Sequence, residues 1–309
     1  MVWRLFGFFP LFRLPKIIVS LETLWIILPY RPLDHSLHNK TRFGKHILLI
    51  LYKQEDYMKY FTILTILGLL LAPSQAAFAV EPTHRVAIVI DDFGNGQRGT
   101  DEMFRLGVPI TAAVMPFLPT TTADAELAHQ LGHDVLVHLP MEPMSGKWSW
   151  LGPGAITTRL TDEEIRKRVE DAVEDVPHAI GINNHMGSKA TADHRVMRIV
   201  MEVCRERKLF YLDSRTSYRS KAGEEATANG VPILNRHIFL DEVYSSSHVR
   251  KQIRKLLEHA KEEPTTIAIG HVGPPGKITS AVLKESIPDI QAVARIVRLS
   301  ELLPQPMLP

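Results

Sequence analysis

VAIVIDDFGNG, residues 86–96, decides how the rest of the chain is read. Five apolar residues run without a break into two adjacent aspartates and then a glycine. A run this short and continuous reads as a strand buried on both faces. Two like charges side by side at its end repel each other. A cation is the simplest compensation, which makes Asp92 a candidate metal ligand and Asp91 a candidate proton acceptor.

The same pattern recurs along the chain. Short apolar runs stand at 86–90, 110–115, 135–139, 179–182, 209–212, 231–234, 267–269 and 296–299. Helical patterns lie between most of them. Thr161-Asp162-Glu163-Glu164 is a capping box opening a helix towards Asp175. Residues 193–207 place Val196, Ile199, Val200 and Val203 on one helical face, and 248–262 repeat the theme. Alternating strand and helix predict one parallel sheet with right-handed crossovers, closed or nearly closed into a barrel; a doubly wound open sheet is the other solution. The longest irregular piece, 141–160, carries Trp148 and Trp150. They would stack on a ligand or pack locally.

Ligands of parallel α/β folds sit at the carboxyl ends of the strands. Polar residues gather there: Asp91 and Asp92 after the first run, His138 and Glu142 at the third, Asn183, Asn184 and His185 after the fourth, Asp213 after the fifth, His271 after the seventh. Asp, His and a second His or a Glu converging on one point make a ligand set for zinc or a similar divalent ion. A carboxylate beside the ion would serve as general base, and a histidine across the site as general acid. Each residue also has a plainer reading. Asp-Asp caps helices, His138 suits a satisfied core position, Glu142 suits a salt-bridged loop, and Asp213 suits a bond to neighbouring backbone.

As an ordered set, IVIDDFG, TAAVMP, GHDVLVHLPMEP, GINNHMGS, YLDS and IAIGHVGP resemble the divergent branch of the polysaccharide deacetylases, over nearly all of 84–303. The resemblance implies a single-domain distorted (β/α) barrel of about seven parallel strands. It implies a metal-dependent hydrolase that removes acetyl groups, at an amide or ester bond, from a polysaccharide or peptidoglycan-type glycan. It places the base on Asp91, the acid on His271, and metal ligands on Asp92 and His138. Four residues after His138 stands Glu142 where the main family has a second histidine. The third ligand is therefore Glu142 or His185; the suitability of imidazole for zinc favours His185. Asn184 and Asp213 are further ligand or substrate-binding candidates.

The start of the chain predicts export. From Met58 the sequence reads MKYFTILTILGLLLAPSQAAFAVEP, with a lysine, an apolar run and the small pair Ala77 and Ala79. That is the layout of a signal peptide cleaved near Ala79, too short for a span of roughly 20 residues. The reading divides the chain into an N-terminal extension at 1–57, a leader at 58–79 and a mature barrel domain at 80–309, periplasmic or secreted, without a stable membrane span. Residues 1–57 hold eight Lys/Arg against four Asp/Glu and Lys59 adds another, so the chain's +2 leaves −3 for 80–309. That balance argues against a nucleic-acid partner. Cys204, the one cysteine, excludes an internal disulfide and CxxC chemistry.

Two other functions compete with the hydrolase. A non-catalytic envelope protein of the same fold would bind glycan or a protein partner. A metallophosphoesterase is echoed by Asn184-His185, but lacks the D-x-H and G-D-x-x-D motifs that should accompany it.

Overall fold

The computed structural model describes Lys59 and residues 83–304. The extension expected at 1–57 and, Lys59 aside, the leader expected at 58–79 lie outside the described residues. No helix among the described residues is long and apolar enough to cross a membrane.

Among the described residues nine strands pair in parallel: β1 Arg85–Phe93, β2 Thr111–Val114, β3 Asp134–Met141, β4 Ala179–Met186, β5 Phe210–Asp213, β6 Ile233–Asn235, β7 Ile238–Phe239, β8 Thr265–His271 and β9 Arg295–Val297. Between them run α1 Thr100–Phe104, α2 Thr121–Gln130, α3 Asp162–Asp175, α4 His194–Glu206, α5 Ala222–Asn229, α6 Ser246–Glu262 and α7 Gly276–Val293. Helical crossovers are what parallel neighbours require. The capping box expected at Thr161 is formed, its side chain accepting from Glu164 N and Glu164 closing back on Thr161 N.

The sheet order is β6-β5-β4-β3-β2-β1-β8-β7, with β9 beside the start of β1. The two edge strands β6 and β7 are consecutive in sequence, and only Arg236 and His237 separate them. Arg236 N donates to Asp213 O (3.1 Å) and His237 N to Ile267 O (2.9 Å), so this link reaches towards both edges of the curled half-barrel. The expected barrel of about seven strands therefore stands, with β7 added. Two residues are too few to produce a readable period.

Period-2 alternation divides the strand residues between two apolar layers. Val86, Ile88 and Ile90 pack outward with Val135, Val137 and Ile182 against the helices. Ala87, Val89, Leu136, Leu212, Ile267 and Ile269 form the concave layer, where Leu299, Leu302 and Leu303 join them. Asp134 fixes that C-terminal turn by accepting from Ser300 N (2.7 Å) and Ser300 Oγ (3.1 Å). Cys204 is buried in α4, and burial pushes its thiol up to about 12, so it is inert packing.

Two loops at the carboxyl end meet backbone to backbone. Gly273 N donates to Arg98 O (2.8 Å), and Val272 N donates to Asp91 O (3.1 Å). A Cβ on Gly276 would lie 2.0 Å from Arg98 O, whereas one on Gly223 in α5 meets nothing within 4 Å. Gly276→Ala should therefore lower stability by about 1–3 kcal/mol, as overpacking does. Gly223→Ala, on an open helix surface, should be neutral or stabilising by up to about 1 kcal/mol. Urea denaturation of both variants checks the contrast.

Candidate metal and acid–base site

The concave face carries the site because the strand parity of Ala87 and Val89 continues to Asp91, that of Leu136 to His138, and that of Ile267 and Ile269 to His271. On β4, Asn183 and His185 share one parity. Registration then sets the neighbours. Asn183 lies directly opposite His138, Pro140 opposite His185, and Asp91 opposite His271. His185 is thus a diagonal neighbour of His138 on the same face.

Alternation alone would send Asp92 to the helix side. It does not go there, because Asp92 adopts φ 71°, in the left-handed region, and the register with β2 shifts between Ile90 and Phe93. Aspartate tolerates that region better than most side chains. Both adjacent carboxylates consequently reach one site.

Asp92, His138 and His185 each offer one ligand atom, all within 4.8 Å of one another. Asp92 Oδ1 lies 3.2 Å from His138 Nε2 and 3.0 Å from His185 Nδ1. These are ion-pair distances without hydrogen-bond alignment: Asp92 Oδ1 is buried with no donor. The far sides of both rings are committed. His138 Nδ1 lies 2.8 Å from Asn183 Oδ1, whose amide Nδ2 donates to Asp91 Oδ1 (2.9 Å). Since the amide NH₂ faces Asp91, its oxygen faces His138 and Nδ1 must donate. His185 Nε2 lies 3.0 Å from the Trp150 carbonyl, which only accepts, so Nε2 also donates. In their neutral forms both imidazoles then turn lone pairs inward, 3.1 Å apart, beside a carboxylate oxygen. Three acceptors facing one another fit a divalent cation. Burial opposes the Asp92 charge, but His138 and His185 outweigh it and hold the carboxyl well below the usual range.

Asp91 is 2 % exposed. Burial pushes its carboxyl above the ordinary range, against the pull of His138 and His271. His271 is held by Asp241, which accepts from His271 Nδ1 (2.7 Å), His271 N (2.8 Å) and Thr279 Oγ1 (2.7 Å). Burial disfavours its charge, yet the bond and charge of Asp241, then Asp92 and Asp91, raise the ring to about 9. Asp92, His185, Asp241 and His271 all line one cleft of about 750 Å³.

Three sequence candidates take other roles. Glu142 is not brought to the cluster. Its Oε2 accepts from Thr158 N and Oγ1 (both 2.8 Å) and its Oε1 pairs with Lys189 Nζ (2.7 Å), so the carboxylate is spent as a loop latch. Asn184 has the opposite parity to Asn183. It donates to Met186 O (2.7 Å) and accepts from Ser214 N (3.0 Å), bracing the loops after β4 and β5. Asp213 accepts from Arg215 N (2.7 Å) in a local turn. Asp241 went unread because it follows β7, the strand without a visible period. Asn183 was distinguishable from Asn184 by parity alone.

The family model for divergent polysaccharide deacetylases matches residues 88–303. The chain belongs to this family. Among its relatives, Uncharacterized protein YibQ of Escherichia coli is 35% identical over 224 residues, covering 72% of this chain and 69% of that protein. A Haemophilus influenzae protein is 36% identical over 218 residues, covering 71% and 76%. The crystal structure of Agrobacterium tumefaciens protein ATU2773 has the same fold, with a TM-score of 0.66 at 21% identity over 71% of this chain and 89% of that one. Members of this divergent family thus include a chain in which a β4 histidine, and not the residue four after His138, completes the cluster.

Two expectations follow. Glu142→Ala should lose about 1–3 kcal/mol of stability as the Thr158 and Lys189 donors lose their acceptor, and should weaken zinc binding far less than His185→Ala, acting only through the loop whose Trp150 carbonyl holds His185; isothermal titration with zinc and urea denaturation measure the two. In metal-free protein, His271 should titrate near 9 by NMR. Its folded value lies above the ordinary 6.5, so the stability it contributes is complete below pH 6.5 and is lost as pH rises through about 9. Asp241→Asn should move the midpoint down towards the ordinary value.

Proposed function

We propose that the protein is a metal-dependent hydrolase that removes acetyl groups from an envelope polysaccharide. The observation that carries this reading is the inward-facing triad of acceptors, Asp92, His138 and His185, with its buried donorless oxygen. One carboxylate and two imidazoles suit zinc. When bound there, zinc supplies a Lewis acid and lowers the pKa of water to about 7.

The chain's own residues supply the proton traffic. Asp91, held by Asn183 and raised above the ordinary carboxylate range by burial, takes a proton from the attacking water. His271, kept protonated by Asp241, returns one to the departing amine or hydroxyl. Asp91 and His271 sit side by side in register on β1 and β8, so acceptor and donor border the same space. The leader read at 58–79 would deliver the enzyme to envelope glycans.

Elemental analysis of the purified chain should find close to one divalent metal, lost in Asp92→Ala, His138→Ala and His185→Ala. Asp91→Asn should keep the metal and lose about 10²–10⁴-fold in acetate release from acetylated glycans. A folded wild-type chain that takes up no zinc would instead identify a glycan- or protein-binding member of the fold.

A further inference from the structure

A histidine side chain closes one rung of the sheet. His237 N donates to Ile267 O (2.9 Å), and Ile267 N donates back to His237 Nδ1 (2.9 Å). One residue thus meets both backbone groups of Ile267, with a ring nitrogen where a strand would offer a carbonyl oxygen. The next rungs are formed by the strand itself: Ile238 lies opposite Ala268, and Phe239 opposite Ile269. Ile267 is 1 % exposed, so its N–H depends on a partner within the protein. A backbone N–H only donates. Nδ1 must therefore carry a lone pair, and the neutral ring keeps its proton on Nε2.

Charging the ring removes that lone pair. An imidazolium donates from both nitrogens, and its Nδ1 proton would point at the Ile267 proton. Most of the charged and titratable groups around the ring also oppose its charge. From α6 the His259 ring stands 4.7 Å away, tilted by 30°, with its own Nδ1 2.8 Å from Thr266 Oγ1. Arg215 lies in the turn after β5, and Arg236 precedes His237 in the link. Partial burial first, then His259, Arg215 and Arg236, lower the ring from the ordinary 6.5, with Glu263 after α6 opposing them.

The rung connects to the cleft. β7 is only two residues long, so few bonds hold it to β8. Past its end Leu240 N donates to Ile269 O (2.8 Å). Asp241 comes next and accepts from His271 N (2.8 Å) and His271 Nδ1 (2.7 Å).

We propose that His237 is an acid-opened latch: charging its ring breaks the Ile267 bond, frees β7 from β8 and slackens the grip of Asp241 on His271. A residue outside the cleft thereby makes the cleft sensitive to pH. The sign follows from which form the fold accepts. The folded chain holds the neutral ring and the unfolded chain does not, so the stability His237 contributes is complete above about pH 6.5 and is lost as pH falls below it.

NMR on the full chain tests the latch. At about pH 7.5, where an ordinary histidine is neutral, a scalar coupling across the N–H···N bond should link the Ile267 amide nitrogen to His237 Nδ1. It should vanish as the ring charges. Hydrogen exchange at the Ile267, Leu240 and His271 amides, corrected for intrinsic rates, should be about tenfold or more faster at about pH 5 than at about pH 7.5. His237→Asn offers an uncharged oxygen acceptor near the Nδ1 position and should leave these amides equally protected at both pH values. Arg215→Gln removes a like charge and should move the onset of opening to higher pH, a test that stands even if His237→Asn does not fold. Absence of the coupling near neutral pH, unchanged protection in acid, or the same acid loss in His237→Asn would overturn the inference.

Discussion

The site depends on one backbone angle. In a regular strand Asp91 and Asp92 would point to opposite faces, one into the concave cleft and one into the helix layer. The left-handed conformation of Asp92, at φ 71°, breaks that alternation. Such a conformation costs about 1–2 kcal/mol for an L-residue, least for Asp and Asn. It is pinned from both sides, by Val272 N on Asp91 O (3.1 Å) and Met115 N on Phe93 O (2.9 Å). Those bonds come from the residues that directly follow β8 and β2, which flank β1 in the sheet order. The residue directly after His271 therefore helps hold the turn that brings Asp92 into place.

Around that turn, hydrogen-bond direction does the rest. Asn183 has two ends of opposite sense. Its NH₂ serves Asp91 and its carbonyl serves His138, so one side chain orients both the Asp91 carboxyl and the His138 ring. The Trp150 carbonyl does the same for His185. Without a cation, the inward lone pairs of the neutral rings and the Asp92 oxygen oppose each other at about 3 Å. With one, the same arrangement is satisfied. A buried polar cluster in which every outer hydrogen bond is made and only the centre is open is selective for what fills the centre.

Much of this was legible beforehand. Runs of apolar residues ending on Asp91, His138, His185 and His271 marked the strands and the end of the sheet where polar chemistry collects. The ambiguous cases turn on parity. Asn183 and Asn184 are adjacent, yet only Asn183 shares the face of Gly181 and His185, so it enters the site while Asn184 braces loops. Asp213 shares its parity with the outward-packing Tyr211, and closes a turn instead. Parity counted from the concave residues would have settled both. It would have misplaced Asp92, whose face follows from a dihedral and not from the alternation. Asp241 was invisible for another reason: β7 is two residues long, and no pattern of apolar residues announces a strand that short.

Glu142, four residues after His138, does more than stay out of the Asp92–His138–His185 cluster. Glu142 is free to tie residues 156–158 and Lys189 to the end of β3: Glu142 N donates to Ile156 O (2.9 Å), and its carboxylate holds Thr158 and Lys189. These bonds fix both ends of the loop that carries Trp150. That loop in turn supplies the carbonyl that orients His185. The orientation of His185 and the Trp150 turn are thereby parts of one bonded unit.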